Sequence, residues 1–208
     1  MATTYQPSQW LVPNMAPDNT DKVGNYSFDF DGTDYIDCGD SDTLSFGDNV
    51  DDSPFTFSAW VYGNTYPTGG GSVCILGKDQ SAGNREYVLG VWDDGGNKRV
   101  RIFIKSQGGD DQQSIDSTTS LSAGQWYHVA ATYNGVGGND AADGLTLYIN
   151  GTPETPTNIT KQTYVAMKDT TSPFVIGSYF GGSFFDGYIS EVCVFDYALD
   201  IDQVNHLK

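Results

Sequence analysis

Basic residues are scarce in this chain. Ten Lys and Arg stand against 27 Asp and Glu, a formal net charge of −17 over 208 residues. Phosphate binding needs clustered cations, so nucleic acid is excluded as a partner, and so are anionic membrane surfaces. No apolar run approaches bilayer-spanning length, which excludes membrane insertion by a helix. The three cysteines, Cys38, Cys74 and Cys193, cannot all pair within one chain and make no disulfide framework. Cys38 alternates with Ile36 and reads as a small core hydrophobe. Two histidines, His128 and His206, do not make a zinc site. Glutamate occurs only at Glu86, Glu154 and Glu191. No Gly-x-Ser-x-Gly elbow is present, and the glycine runs at 69–71 and 137–138 follow no P-loop pattern. The N-terminus, Met-Ala-Thr-Thr-Tyr-Gln-Pro, lacks a basic n-region and an apolar h-region. It therefore reads as having no secretory signal. The expectation is a cytoplasmic product, or one found outside the cell or on a virion surface after release.

What the chain has in quantity is aspartate, glycine and aromatic residues. With 24 Asp against three Glu, most of the acid is turn chemistry and solubility, because Asp bonds nearby backbone amides. A minority suits hard cations such as Ca²⁺. A hydrophobic fraction of 38% with 13% aromatic supplies a core, and 25 Gly fit a fold with many tight turns. Residues 1–22 carry three prolines and one apolar island, Trp10-Leu11-Val12, and read as a poorly structured arm whose island packs on the domain or on a neighbour. Strands and turns then alternate from 23 to 208, one domain. Tyr26, Phe28 and Phe30 alternate with Ser27, Asp29 and Asp31; Val100, Ile102 and Ile104 share one face. Asn150-Gly151 and Asp93 to Asn97 read as hairpin turns, and 152–163 as loop or edge. The one convincing helix follows Asp200, with Gln203 at capping-box spacing and Leu199 and Val204 as a hydrophobic staple. The two Phe-Asp-Gly segments, Phe30-Asp-Gly32 and Phe185-Asp-Gly187, suggest that the first and last strands lie side by side.

These segments resemble the laminin-G-like domains of the concanavalin A-like lectin/glucanase superfamily. The matching pieces are Phe28 to Asp37, Phe55 to Val61, Trp126 to Gly135, Leu145 to Gly151, Ile176-Gly177 and Asp186 to Val192, leading to Ala198-Leu199. The resemblance implies an all-β, two-sheet antiparallel jelly-roll sandwich with a short C-terminal helix. It implies ligands at the loop rim or on a concave face, and a structural Ca²⁺ in many members. The family often has Asp where Ser190 stands here.

The fold hosts many functions, so the site must decide. A retaining glycosidase needs two carboxyls about 5 Å apart. The three glutamates are widely separated in sequence, so no enzyme activity is expected. Asp29, Asp31 and Asp34 crowd the first strand and its turn, and Asp186 echoes them in the last. If those strands pair, the four are the candidate Ca²⁺ ligands; the alternative is that Asp31 and Asp186 only hold Asp-Gly turns. Asp79, Asn84, Asp93 and Asp94 form a second candidate Ca²⁺ cluster, in loops at the expected ligand rim. Exposed aromatics act as stacking platforms for sugars. The candidate ligand-binding residues are Trp92, Tyr66, Tyr179 and Phe180, with Asp79 and Asn84. The first reading is a non-catalytic recognition module for glycan or protein, assisted by calcium. The alternative is a structural virion protein, a capsid decoration, fibre or tail component. For that class the arm and Trp10 offer a route to homo-oligomers.

Overall fold

Alternation of large apolar residues with small or polar ones builds two sheets that share one core. The computed structural model describes residues 11–13, 26–81, 83–106, 111–179 and 182–208. In chain order the strands are β1 (Leu11–Pro13), β2 (Tyr26–Asp31), β3 (Ile36–Asp37), β4 (Phe55–Gly63), β5 (Ser72–Ser81), β6 (Asn84–Asp94) and β7 (Asn97–Lys105). They continue as β8 (Gln112–Ser120), β9 (Trp126–Tyr133), β10 (Leu145–Ile149), β11 (Thr152–Pro153), β12 (Ile159–Lys161), β13 (Val175–Ile176) and β14 (Asp186–Phe195). One helix, α1 (Ile201–His206), follows. The first sheet runs β1-β2-β14-β4-β9-β10-β11 and the second β12-β8-β7-β6-β5-β13-β3. This is the expected antiparallel sandwich, and β14 does lie against β2, with Asp186 opposite Asp31 and Tyr188 opposite Asp29.

Phe55, Phe57, Ala59 and Val61 of β4 and Tyr87, Leu89 and Val91 of β6 fill the space between the sheets. Phe57 stacks on Phe55 at 4.3 Å and on Tyr87 at 4.7 Å between ring centroids. Burying each such ring contributes on the order of 2–3 kcal/mol. The loops at one end are tied by Asp52. Its Oδ2 accepts hydrogen bonds from the hydroxyls of Tyr133 (2.6 Å) and Tyr164 (2.9 Å), and its Oδ1 accepts one from the Met167 amide (2.5 Å).

The turn and cap signals hold. Asn150 and Gly151 take φ of +50° and +73° between β10 and β11, the left-handed pair that a two-residue hairpin needs. Asp200 Oδ1 accepts from the Gln203 amide at 2.9 Å while Gln203 Oε1 accepts from the Asp200 amide at 3.0 Å. Leu199 and Val204 pack in one cluster with Ala130 and Tyr148, seating α1 on the outer face of the first sheet.

Two expectations need correction. The sequence reading contains no strand at 112–120, yet β8 lies there between β7 and β12. Its polar core-side residue Gln113 is satisfied, donating to the Gln162 carbonyl and accepting from the Ala142 amide. Cys38 is exposed rather than core, because β3 is an edge strand. Of the arm's apolar island, Leu11 and Val12 lie in β1, which pairs with β2 of the domain, one of the two expected placements; Trp10 and the remaining arm residues lie outside the described residues.

Candidate functional site

Because Val100, Ile102 and Ile104 of β7 point into the core, Arg99, Arg101, Phe103 and Lys105 take the outer face of the second sheet. Cys74, Val88 and Phe103 form a small apolar cluster there, with Trp92 and Tyr179 packed against it. Trp92 stacks with Tyr179 at 6.0 Å and 28°, and meets Phe103 edge-on at 5.9 Å. Both Trp92 and Tyr179 keep part of their surface in solvent. Gly90 makes room for the indole: a Cβ there would lie 2.8 Å from Trp92 Cζ3 and would clash with the Val73 carbonyl oxygen. The Tyr179 hydroxyl is hydrogen-bonded to Ser72 Oγ, which fixes the ring.

A charged network runs beside this pair. The Arg101 guanidinium sits 5.1 Å from the Trp92 ring centroid and forks onto Asp116, Nε to Oδ1 and Nη2 to Oδ2. Asn158 Nδ2 donates to Asp116 (3.1 Å) and to Asp94 (3.3 Å), and Asp94 accepts from Arg99 Nε at 2.9 Å. The bond from Arg99, and then that from Asn158, holds the Asp94 carboxyl below the usual range, so it stays ionised. Asp116 is buried at the base. On the other side Tyr179 borders a pocket of about 120 Å³, which also takes in Tyr35, Asp37, Asp79 and Gln80.

The structure thus brings Trp92, Tyr179 and Asp79 to one region. Asp79 is buried and paired with Arg85 at 3.2 Å. Asn84 lines a different cleft, of about 460 Å³, with Asp40, Lys168 and Thr170. Tyr66 does not join the site: its hydroxyl is buried, its ring lies over Gly63 and edge-on to Phe185, and burial pushes its ionisation up. Phe180 lies outside the described residues. Asp93 caps turns instead, accepting from the Gly70 and Gly96 amides and from Lys98. Sequence reasoning missed Arg101, Asp116 and Asn158. The available signal was β7, which holds four of the ten basic residues, Lys98, Arg99, Arg101 and Lys105.

The expected calcium ligands share a region, with Asp186 opposite Asp31 across the β2–β14 ladder. Burial, and then the charges of Asp31, Asp34 and Asp186, push Asp29 up. Yet Asp31 Oδ1 is spent on the amide and hydroxyl of Thr33. Asp186 accepts from Asn64 at 3.0 Å and Thr65 at 2.8 Å. Among the described residues no group of three or more His, Cys, Asp or Glu is arranged to hold a metal ion. Asp31 thus holds its own turn, as the alternative reading has it, while Asp186 ties the Asn64–Thr65 loop to β14.

No curated protein matches the chain in sequence. A family model described as the concanavalin A-like lectin/glucanases superfamily matches residues 30–205. Among solved structures, the chain is similar to domain 4 of AbnA, an extracellular arabinanase from Geobacillus stearothermophilus, in complex with arabinotriose. The TM-score is 0.61 at 20% identity, covering 90% of this chain and 79% of that one. It is also similar to the CBM40 of the Ruminococcus gnavus IT-sialidase bound to α2,3 sialyllactose, with TM-score 0.60, 13% identity and 87% and 95% coverage. A third is tailspike protein 2 of the Escherichia coli O157:H7 bacteriophage CAB120, with TM-score 0.58, 14% identity and 95% coverage of this chain but 26% of that one. At these identities the likeness is one of fold.

Proposed function

Because the chain belongs to the concanavalin A-like lectin/glucanase superfamily, we propose that it is a non-catalytic binding module that takes a glycan on the outer face of its second sheet. The observation that carries this reading is the partly exposed Trp92–Tyr179 pair set beside the Arg101–Asp116 fork. Sugar rings offer flat C–H faces to aromatic side chains and hydroxyls to polar ones, and this surface presents both. Two of the similar structures are described as bound to oligosaccharides, arabinotriose and sialyllactose, which supports the class of ligand. A non-catalytic role is supported by the placement of the glutamates. Glu86 is buried on β6 with Lys78, Glu154 accepts from Thr119, and Glu191 lies in the bulge of β14 on the other sheet. No pair of them faces a shared cleft. Action outside the cell is the matching location.

Isothermal titration against an oligosaccharide panel, with wild type and Trp92→Ala side by side, tests the proposal. Binding is expected to weaken about fivefold or more in the variant, since a stacked ring is worth about 1 kcal/mol. Binding that ignores the substitution overturns the site. The likeness to a phage tailspike favours a second reading, a virion component for attachment or assembly. The solution mass of the full chain bears on it: a closed symmetric oligomer supports this reading, and a monomer that binds sugar opposes it.

A further inference from the structure

The charges beside Trp92 are balanced one for one. Arg99 is matched by Asp94 and Arg101 by Asp116, and Asn158 joins the two pairs into one network with no net charge. Arg99 has little left to offer, because its Nη1 also donates to the carbonyls of Ser117 (2.9 Å) and Thr118 (2.7 Å). Lys105, the other cation on this face of β7, is buried with its ammonium 5.3 Å from the Phe103 ring centroid. The surface that remains is mixed: the half-exposed Asp94 carboxylate stands beside a partly exposed Arg101 guanidinium whose Nε and Nη2 are already given to the buried Asp116.

We infer that the ligand of this face is an uncharged, hydroxyl-rich saccharide, and that Asp94 and Asp116 discriminate against acidic sugars. The inference rests on the glycan-binding reading above and narrows it. A hydroxyl both donates and accepts, so it satisfies a mixed array in either direction. A sugar carboxylate or sulfate only accepts. To reach Arg101 it must displace Asp116 or sit beside it, and like charges at that distance repel. The −17 of the whole chain adds to the repulsion at long range. The four basic residues of β7 therefore do not mark an anion site; each one at the surface is already neutralised.

The test uses immobilised glycans in matched pairs: lactose with sialyllactose, and neutral oligosaccharides with the same cores bearing uronic acid or sulfate. The full chain is measured as wild type, Asp116→Asn and Asp94→Asn, the second guarding against misfolding of the first. Asp143→Asn, at a carboxylate paired with Lys161 away from this face, makes the same change in net charge. Neutral members are expected to bind at least about tenfold tighter than their acidic partners. Asp116→Asn or Asp94→Asn should narrow that gap at least threefold, and Asp143→Asn should leave it in place. An acidic member that binds as tightly as its neutral core overturns the inference while leaving glycan binding intact. So does a gap that Asp143→Asn narrows equally, because the effect is then one of total charge. Silence across both arms overturns the glycan reading itself, and the inference with it.

Discussion

His128 shows how a single residue can be legible in type and hidden in consequence. Its alternation with Trp126 and Ala130 places it on a sheet face, and it is there, on β9. The sequence does not say that this face is covered. His128 is fully buried, its Nε2 hydrogen-bonded to Ser58 Oγ at 2.8 Å and its ring edge-on to Trp60. Burial first, and then the charge of Lys208, push its pKa down to about 4. The unfolded chain thus binds a proton near pH 6.5 that the folded one takes up only near 4, so stability falls as pH drops through that window. Between pH 6.5 and 5, mostly above the carboxylate titrations, the loss from this group is up to about 2 kcal/mol. Urea midpoints of wild type and His128→Asn should show that slope in the first and not in the second. Equal slopes would mean that the imidazole is not the group responsible. Asp31 and Asp186 teach the opposite lesson. Aspartates crowded in sequence read as a cation site, and the structure adds the partners Thr33, Asn64 and Thr65, which the crowding does not show. Those bonds depend on loop paths that no spacing rule supplies.

At the scale of elements, local signals were the readable ones. The Asn150-Gly151 hairpin, the core alternation of β4 and β7, and the cap of α1 are each set by a few consecutive residues. The Asp200 side chain serves one of the otherwise unbonded first-turn amides, so Asp200→Ala should cost about 1 kcal/mol. Because α1 covers Ala130 and Tyr148 through Leu199 and Val204, its fraying should quicken amide exchange in 199–207. An unchanged melting curve and exchange pattern would show that packing alone seats the helix. β8 was not readable. Its sequence, Gln-Gln-Ser-Ile-Asp-Ser-Thr-Thr-Ser, has one large apolar residue, so hydrophobic period carries no signal. It is a strand because β7 offers a ladder and its polar side chains find partners across it. Missing β8 hid Asp116, and with it half of the candidate site.

The whole molecule carries its charge unevenly. Acid dominates everywhere except along β7, and even there the surface cations are paired. Self-repulsion of −17 opposes compaction, while exposed ion pairs contribute little. Raising NaCl from about 10 mM to about 0.3 M shortens the screening length from roughly 30 Å to below 8 Å. The thermal midpoint should then rise by a few degrees. A midpoint that falls with salt would mean that the paired charges outweigh the excess.

In the first sheet β14 sits between β2 and β4 and is hydrogen-bonded to both. It is a splint, and it is made last. Asp31 must wait about 155 residues of synthesis for its partner Asp186. Until then a growing chain presents two open ladder edges, those of β2 and β4, to whatever else is nearby. The second sheet, by contrast, can zip β5 to β8 in order of synthesis. A nascent chain of this kind completes one half of its sandwich early and keeps the other half open until the final strand emerges.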